Sequence, residues 1–472
     1  MQNFINAISH LNSTVNGLVW GLPMMGLIVG TGLFFSFRTN FIQFRRFGYA
    51  MKNTIMKAFS YGKTKDKGAI SPFQAVTTAL AGTVGTGNIA GVAGALALGG
   101  PGAVFWMWVS ALFGMATKYA EILLAVKFRR RNKEGDWVGG PMYYITGGLG
   151  KDFKWLAILF SLFGAVAALG IGNMVQINTA AGAFVSLFDQ FTPGALVPGG
   201  RMEMSIRLGC GLIVALIAAL VLLGGLKRIG AVTETLVPAM SLLYIIGALV
   251  IIAVNFEKLG AVLSLIVKCA FDPKAVLGGA FGVGVVQSMR YGIGRGVFSN
   301  EAGLGSSPMA HAATSETDPV KQGLFGVFEV FADTIVMCTL TALAVLMSGT
   351  EIRYGQSAGA ELTISAFETA FGGKTAAIFI SVETALFAAS TILSWSLYGC
   401  RCAEYLFGTR IITLYKTAYV VFIVFGACLE MKLAWEITDT LNGLMAIPNL
   451  LAILALSGYV AKATRAHFNK LE

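Results

Sequence analysis

One interrupted apolar run, Ser71 to Val92 (SPFQAVTTALAGTVGTGNIAGV), limits what this chain can fold into more than any other stretch. Gly82, Gly85, Gly87 and Gly91 fall within it, and each glycine inside a helix costs about 1 kcal/mol relative to alanine. The spacing therefore predicts a helix that unwinds partway along. A second interpretation stays open, because small residues also allow two membrane helices to pack closely.

The composition places this run in a lipid bilayer. Of the 472 residues, 56% are hydrophobic and only 12% are charged, whereas soluble domains carry about 25% charged residues. An apolar run of about 20 residues spans a bilayer as a helix. The sequence therefore predicts an all-α integral membrane protein with eleven transmembrane helices, near residues 17–37, 70–98, 102–126, 155–188, 206–224, 231–254, 275–298, 320–348, 374–399, 411–427 and 433–458.

The net charge of +11 would suggest nucleic-acid binding in a soluble protein. Here most of the Lys and Arg residues flank the apolar runs, which is how membrane topology is set. We therefore expect no nucleic-acid partner, a location in the cell (inner) membrane, an extracellular N-terminus and a cytoplasmic C-terminus. The basic segment 38–67, with interleaved aromatic residues, is either an amphipathic helix lying on the inner leaflet or a solvated loop.

A second glycine-rich stretch, Gly278 to Gly296, opens the later half of the chain. Two interrupted helices at corresponding positions of two halves indicate a binding site near the bilayer midplane. This placement predicts an inverted repeat, in which the two halves cross the membrane in opposite directions. Short apolar segments at 257–271 and 362–371 are expected to form external helices. The predicted divisions are 1–67 (N-terminal helix and basic segment), 68–256 (first repeat), 257–460 (second repeat) and 461–472 (cytoplasmic tail).

Residue types that carry enzyme chemistry are scarce. The chain has three histidines, no HExxH motif and no nucleotide-binding loop after a strand, so we do not expect an enzyme. No ring of acidic residues or filter motif indicates a channel. An amino-acid sensor would need a further soluble domain, and none follows the apolar runs.

Helix breaks suit a zwitterionic ligand, because they offer backbone donors and acceptors without a permanent buried charge. The resumed half of the first broken helix starts near Thr86 and Gly87, whose N–H groups are predicted to bind a carboxylate. Carbonyls around Phe281 and Gly282 are predicted to bind an ammonium group. A site lined by glycine backbone and one aromatic ring has little room, which favours alanine or glycine.

Two blocks also resemble a known family. The stretches PFQAVTTALAGTVGTGNIAGV and RGVFSNEAGLGSSPMAH (Arg295 to His311) are similar to signatures of the alanine/glycine:cation symporters, which have the leucine-transporter fold. The resemblance extends from about residue 15 to 465. It implies one N-terminal helix followed by a 5+5 inverted repeat with two broken helices. It also implies a sodium-coupled symporter that imports alanine or glycine by alternating access, with another neutral amino acid such as glutamine, or proton coupling, as alternatives.

The resemblance further implies two sodium cages built from oxygen ligands. One would use Asn88 and the carbonyl of Thr83. The other would use carbonyls near Ala81 and Val84 with the hydroxyls of Ser390 and Thr391. Serine and threonine hydroxyls in membrane helices also bond back to their own helix, and that alternative stays open for both.

Gln176 is an amide deep in a long apolar run. In the resembling fold the third core span lines the site, which assigns Gln176 to the substrate, with hydrogen bonding between helices as the alternative. Asp333 and Glu383 also lie within predicted spans, where acidic residues are candidates for function. They are the groups that a proton-coupled mechanism would use.

Overall fold

The computed structural model describes residues 2–54, 66, 68–272, 284–429 and 432–470. A two-stranded antiparallel hairpin, Arg130–Arg131 with Trp137–Val138, is the only sheet in those ranges. The α-helices are Gln2–Val19, Leu22–Arg38, Ile42–Arg45, Phe47–Thr54, Pro72–Thr83, Ala90–Gly99, Gly102–Lys127, Pro141–Tyr144, Lys154–Leu169, Val175–Phe191, Arg201–Leu223, Gly225–Val254, Leu259–Phe271, Val285–Asn300, Pro308–His311, Pro319–Val330, Thr339–Ser348, Ala360–Phe371, Gly373–Phe407, Ile411–Cys428, Lys432–Ala455 and Ser457–Phe468.

Within the described ranges, nine helical stretches are long and apolar enough to cross a membrane, and a bent pair of helices makes a tenth. These ten coincide with ten of the predicted spans. The eleventh prediction, 275–298, lies partly outside the described residues. The Arg201–Leu223 helix exposes Ile213, Leu216 and Leu220 by about half or more of their surface. Apolar faces of this size on helices of spanning length are lipid-facing, so the chain is an integral membrane protein.

The predicted unwinding of the first glycine-rich stretch is confirmed. Pro72–Thr83 begins with a capping box, in which Ser71 Oγ accepts from the Gln74 N–H (3.0 Å) and Gln74 Oε1 accepts from the Ser71 N–H (3.2 Å). The helix ends at Thr83, and the chain resumes through the 3-10 turn Thr86–Asn88 and the helix Ala90–Gly99. The two halves are bent by 53° at this break, which we call the first break (residues 84–89).

The second glycine-rich stretch lies only partly within the described residues. Its described part, from Gly284 onward, belongs to the continuous helix Val285–Asn300. The chain leaves that helix only at Glu301, which has a left-handed φ of 56°, and Gly303 and Gly305 follow with φ of 92° and 80°. We call residues 301–307 the second break. The described part of Gly278–Gly296 therefore contains no break, and its glycines serve packing. Residues 278–283 lie outside the described residues, so a break there stays a prediction.

Close helix packing explains those glycines. A Cβ on Gly292 would meet the Ala103 carbonyl oxygen and would lie 2.6 Å from Trp106 Cβ. A Cβ on Gly296 would meet Ser110 Oγ and would lie 3.4 Å from Met107 Cα. The two glycines therefore let the Val285–Asn300 and Gly102–Lys127 helices approach closely, as small residues do in membranes.

Both short apolar segments form helices, Leu259–Phe271 and Ala360–Phe371. The second lies against the first break, where the Thr363 hydroxyl donates to the Ile89 carbonyl at 3.4 Å. This contact holds the Ala360–Phe371 helix over the resumed half of the broken helix.

A glycine-to-alanine series tests this packing. Gly292→Ala is expected to lower the free energy of unfolding by about 1–3 kcal/mol, because the added methyl group overpacks a backbone contact. Gly294→Ala is the control, since nothing lies within 4 Å of a Cβ built there. The measurement is the melting temperature of the purified protein in detergent. Equal melting temperatures for the two variants would contradict close packing at Gly292.

Candidate functional site

A small closed cavity lies where the first break meets the end of the Val285–Asn300 helix. Its volume is about 10 Å³, enough for about one water molecule. Four of the predicted site residues, Thr83, Gly87, Gln176 and Thr391, line it together. The complete lining is Gly82, Thr83, Gly85, Gly87, Ile171, Gln176, Phe298, Ser299, Glu301, Thr391 and Trp395.

Gln176 occupies the position expected of a ligand carboxylate. Its Oε1 accepts from the Thr86 N–H (3.3 Å) and from the Thr86 hydroxyl (2.8 Å). Its Nε2 donates to the Ile171 carbonyl (3.1 Å), one end of the π-helical turn Gly170–Met174. The structure thus places the Gln176 amide, predicted to contact the substrate, against the Thr86 N–H group, predicted to bind a carboxylate. In this structure the Gln176 side chain satisfies that N–H group.

The opposite wall of the cavity is electronegative. The Val285–Asn300 helix ends there, and the carbonyls of its last residues have no further helical N–H to accept from. The Glu301 carboxylate is buried beside them and accepts from the Ser306 hydroxyl (2.5 Å). Phe281 and Gly282, whose carbonyls are the predicted acceptors for an ammonium group, lie outside the described residues.

The sequence analysis did not assign Glu301, Phe298 or Trp395 to the site. The available signal was the pair Gly303 and Gly305 just after a carboxylate, since alternate glycines near Pro308 mark a change of backbone direction.

Phe298 and Ile171 separate the cavity from a larger space. Both also line a vestibule of about 350 Å³. The Phe298 ring lies 3.6 Å from a Cβ built on Gly87, and the Arg295 guanidinium lies 5.6 Å from the ring centroid. Movement of this ring would join the two spaces. The other vestibule residues are Asn12, Ser13, Asn16, Val175, Arg295, Glu436 and Asp439.

The predicted cage at Ser390 and Thr391 has one orphaned oxygen. The Thr391 hydroxyl is buried without a hydrogen-bond partner among the described residues, and it lies against Gly85. The Ser390 hydroxyl donates to the Phe387 carbonyl (2.9 Å), the back-bonding alternative, which leaves its oxygen lone pairs open. Across from them, Val84 N–H donates to the Leu80 carbonyl (2.7 Å). The carbonyls of residues 81–84 accept no hydrogen bond within the described part of the chain.

Asn88 points away from the cavity and braces the break. Its Oδ1 accepts from the Gly85 N–H (2.9 Å), and its Nδ2 donates to Asp333 Oδ1 (2.8 Å). Asp333 also accepts from the hydroxyls of Ser299 (2.9 Å) and Thr334 (2.7 Å). This buried carboxylate, which lies in the π-helical turn Phe331–Cys338, therefore joins the first break to the end of the Val285–Asn300 helix.

A buried ion network holds the second break. Lys118 Nζ lies 3.2 Å from Glu329 Oε1, with both side chains fully buried. The Ser307 hydroxyl donates to the same carboxylate (2.8 Å), and His311 Nε2 lies 3.1 Å from its other oxygen. Because Gln322 Nε2 lies 2.8 Å from His311 Nδ1, this network assigns the ring proton to Nε2.

A neighbouring amide fixes the middle of the second break. Asn449 Nδ2 donates to the Gly303 carbonyl (2.8 Å) and to Glu121 Oε1 (2.5 Å), and Tyr144 donates to its Oδ1. The irregular backbone of residues 301–307 is thus satisfied by protein groups, as the membrane interior requires.

Comparisons with known proteins agree with this arrangement. The sequence profile of the sodium:alanine symporter family matches residues 5–472. The chain is 44% identical to the sodium/alanine symporter AgcS of Methanococcus maripaludis over 467 residues, covering 98% of this chain and 97% of that protein. It is 36% identical to the probable sodium/glutamine symporter GlnT of Bacillus subtilis, covering 97% of this chain and 90% of that protein.

Among solved structures, the crystal structure of MhsT in complex with L-phenylalanine is similar, with a TM-score of 0.56. The match covers 84% of this chain and 97% of that chain at 15% sequence identity. At this identity the likeness shows the fold alone, and that fold is of the leucine-transporter type.

The Lys118–Glu329 pair can be tested by a double-mutant cycle. Lys118→Met is expected to destabilise the protein by about 3–5 kcal/mol, because Glu329 keeps a buried charge without its cation. Lys118→Met combined with Glu329→Gln is expected to recover part of this loss, since neither charge is then orphaned. The measurement is thermal unfolding in detergent, with Lys127→Met, an exposed lysine on the same helix, as the control. Additive losses in the double variant would mean that the two side chains are not coupled.

Proposed function

Because the chain belongs to the sodium:alanine symporter family, we propose that it imports alanine or glycine together with sodium. Transport proceeds by alternating access around the cavity between the two breaks. The family and its relatives are transporters and not enzymes, so the site is one of binding and release. The observation that carries the proposal is the opposed polarity of the cavity walls.

The two walls match the two ends of an amino acid. The N–H groups at Thr86 and Gly87 stand at the start of the resumed half-helix, where the helix dipole favours an anion. Glu301 and the last carbonyls of the Val285–Asn300 helix face them and favour a cation. The substrate carboxylate binds the first wall and takes the Thr86 N–H from the Gln176 oxygen. The released Gln176 amide then donates its own N–H to the carboxylate, and the ammonium group binds the second wall.

The lining favours a small side chain. Gly82, Gly85 and Gly87 carry no side-chain atoms into the cavity, and Phe298 and Trp395 close the rest. Because the cavity volume is only about 10 Å³, substrate binding requires these walls to move apart, and a small side chain requires the least movement. Glutamine, which the name of the relative GlnT suggests, would require a larger displacement of these rings.

Sodium binds between the first break and the Gly373–Phe407 helix. The Thr391 hydroxyl, the Ser390 oxygen and the carbonyls of Ala81 and Val84 supply the neutral oxygen ligands that hard cations prefer. The orphaned Thr391 hydroxyl supports this assignment. A second cation position beside Thr83 and Asn88 would share the negative charge of Asp333, and the Asn88 oxygen keeps one lone pair free for it.

We further place the N-terminus outside and the C-terminus in the cytoplasm of a cell (inner) membrane. The distribution of Lys and Arg along the chain supports this orientation. The vestibule beyond Phe298 then opens outward, and the second break lies on the route to the cytoplasm.

The function is tested by uptake of labelled alanine, glycine and glutamine into proteoliposomes, with sodium, lithium or proton gradients imposed separately. A sodium gradient is expected to drive alanine or glycine uptake. In the same assay, Ser390→Ala/Thr391→Val is expected to raise the half-maximal sodium concentration about tenfold, which corresponds to about 1.4 kcal/mol. By linkage, sodium should then enhance alanine affinity less.

Thr384→Val is the matched control for this pair. It removes a buried hydroxyl of the same helix that bonds back to the Ile380 carbonyl (2.6 Å), so its sodium dependence should equal that of the parent. Coincident sodium curves for the double variant and the parent would reject the cation site. Uptake driven by protons, with no effect of sodium, would reject sodium coupling and move attention to Asp333 and Glu383.

Gln176 provides a test of the substrate position. Gln176→Ala is expected to weaken alanine binding by about 1–3 kcal/mol, because a buried polar partner is lost. Asn178→Ala is the control, since Asn178 lies on the same helix but donates to the Gly426 carbonyl (3.1 Å). Binding is measured by isothermal titration at saturating sodium. Equal affinities for both variants would place the substrate elsewhere.

A further inference from the structure

A basic pocket lies at the C-terminal end of the Leu22–Arg38 helix, and none of its lining residues lines the cavity between the two breaks. Its volume is about 400 Å³, and Arg38, Arg45, Arg46 and Arg465 all contribute to its walls. No Asp or Glu is among the lining residues that the structure describes. Guanidinium groups around one space repel each other, so Arg38, Arg45 and Arg465 make this space complementary to an anion.

Two segments that are distant in sequence, residues 37–46 and 461–469, form this pocket. Asn40 and Phe41 adopt left-handed conformations (φ 57° and 52°), and the Phe41 N–H donates to the Ser36 carbonyl (2.6 Å). This reversal returns Arg45 and Arg46 towards Arg38. The C-terminal helix Ser457–Phe468 supplies the opposite wall.

One arginine of the pocket is already oriented. The Arg46 guanidinium lies 4.4 Å from the centroid of the Phe468 ring, a stacking arrangement that arginine favours. Arg38, Arg45 and Arg465 are exposed, and within the described ranges they have no carboxylate at ion-pair distance. The nearby Asp318 is paired instead with His467 (2.7 Å).

The position of the pocket indicates a lipid as the source of the anion. Leu33, Phe34 and Phe37 form an exposed apolar stripe on the Leu22–Arg38 helix, with 38%, 42% and 66% of their surface accessible. The stripe runs along a membrane-spanning helix and ends at the arginines. Basic pockets at this level suit anionic head groups, and an apolar stripe suits acyl chains.

We propose that this pocket binds the phosphate head group of an anionic phospholipid, with an acyl chain along the Leu33, Phe34 and Phe37 stripe. The arginines supply charged N–H donors to the phosphate oxygens, a role for which the guanidinium fork is suited. The site is separate from substrate and ion binding, so its test does not depend on transport.

The test is native mass spectrometry of the full chain in detergent, titrated with phosphatidylglycerol or with phosphatidylcholine of the same acyl chains. Selective retention of phosphatidylglycerol is expected. Arg38→Gln/Arg465→Gln should weaken it about 10- to 30-fold, since each arginine near a membrane surface contributes about a factor of five. Arg130→Gln/Arg410→Gln, two exposed arginines outside the pocket, should leave it unchanged.

Competition measurements distinguish a lipid from a free phosphate as the bound anion, and a second arginine variant controls for misfolding. Inorganic phosphate and glycerol phosphate should not displace the lipid at millimolar concentration, and Phe34→Asn/Phe37→Asn should weaken lipid binding. Arg45→Gln is a second variant in case the first double variant is not monodisperse. Equal retention of the two lipids, displacement by inorganic phosphate, or unchanged binding in both arginine variants would each overturn the proposal.

Discussion

Everything at the site depends on how the backbone groups freed at the first break are satisfied inside a membrane. An unpaired N–H or C=O in hydrocarbon costs several kcal/mol, so the break survives only where side chains replace the lost helical bonds. Asn88 accepts from the Gly85 N–H, and Gln176 accepts from the Thr86 N–H. The first of these partners lies within the break itself, whereas the second comes from a neighbouring helix. The Thr86 donor is therefore the one that a ligand can take over.

The backbone of the second break is also held by side chains, but these include buried charged groups as well as an amide. Lys118, Glu329 and His311 lie fully buried beside residues 306 and 307. A buried ion pair contributes little net stability, because desolvation offsets most of the attraction. These groups instead position the backbone of the second break. The Glu329 carboxylate accepts from the Ser307 hydroxyl, and Asn449 donates to the Gly303 carbonyl. These contacts fix the irregular backbone that follows Glu301, and they come from residues that do not line the cavity.

The parts of this structure that follow from local sequence were predictable. Apolar runs give the ten described spans, and the glycines after Gly82 give the first break, because both effects act within a few residues. The break at residues 301–307 was not predicted, because glycine has two uses in a membrane helix. At Gly292 and Gly296 it admits a neighbouring helix, and at Gly303 and Gly305 it permits positive φ. Only the partner helix distinguishes these uses. The role of Glu301 was missed for the same reason, since its environment is built by residues distant in sequence.

The proposed coupling between ion and substrate follows from the shortness of the first break. The carbonyls of Ala81 and Val84 precede the Thr86 N–H by at most five residues, and Thr391 lies against Gly85 between them. A cation held by those carbonyls fixes the backbone that also presents the carboxylate donors. Without the proposed cation, those carbonyls have no hydrogen-bond partner among the described residues, and the donors lose their orientation. The two affinities are then linked through one short segment of backbone, with no need for a signal to cross the protein.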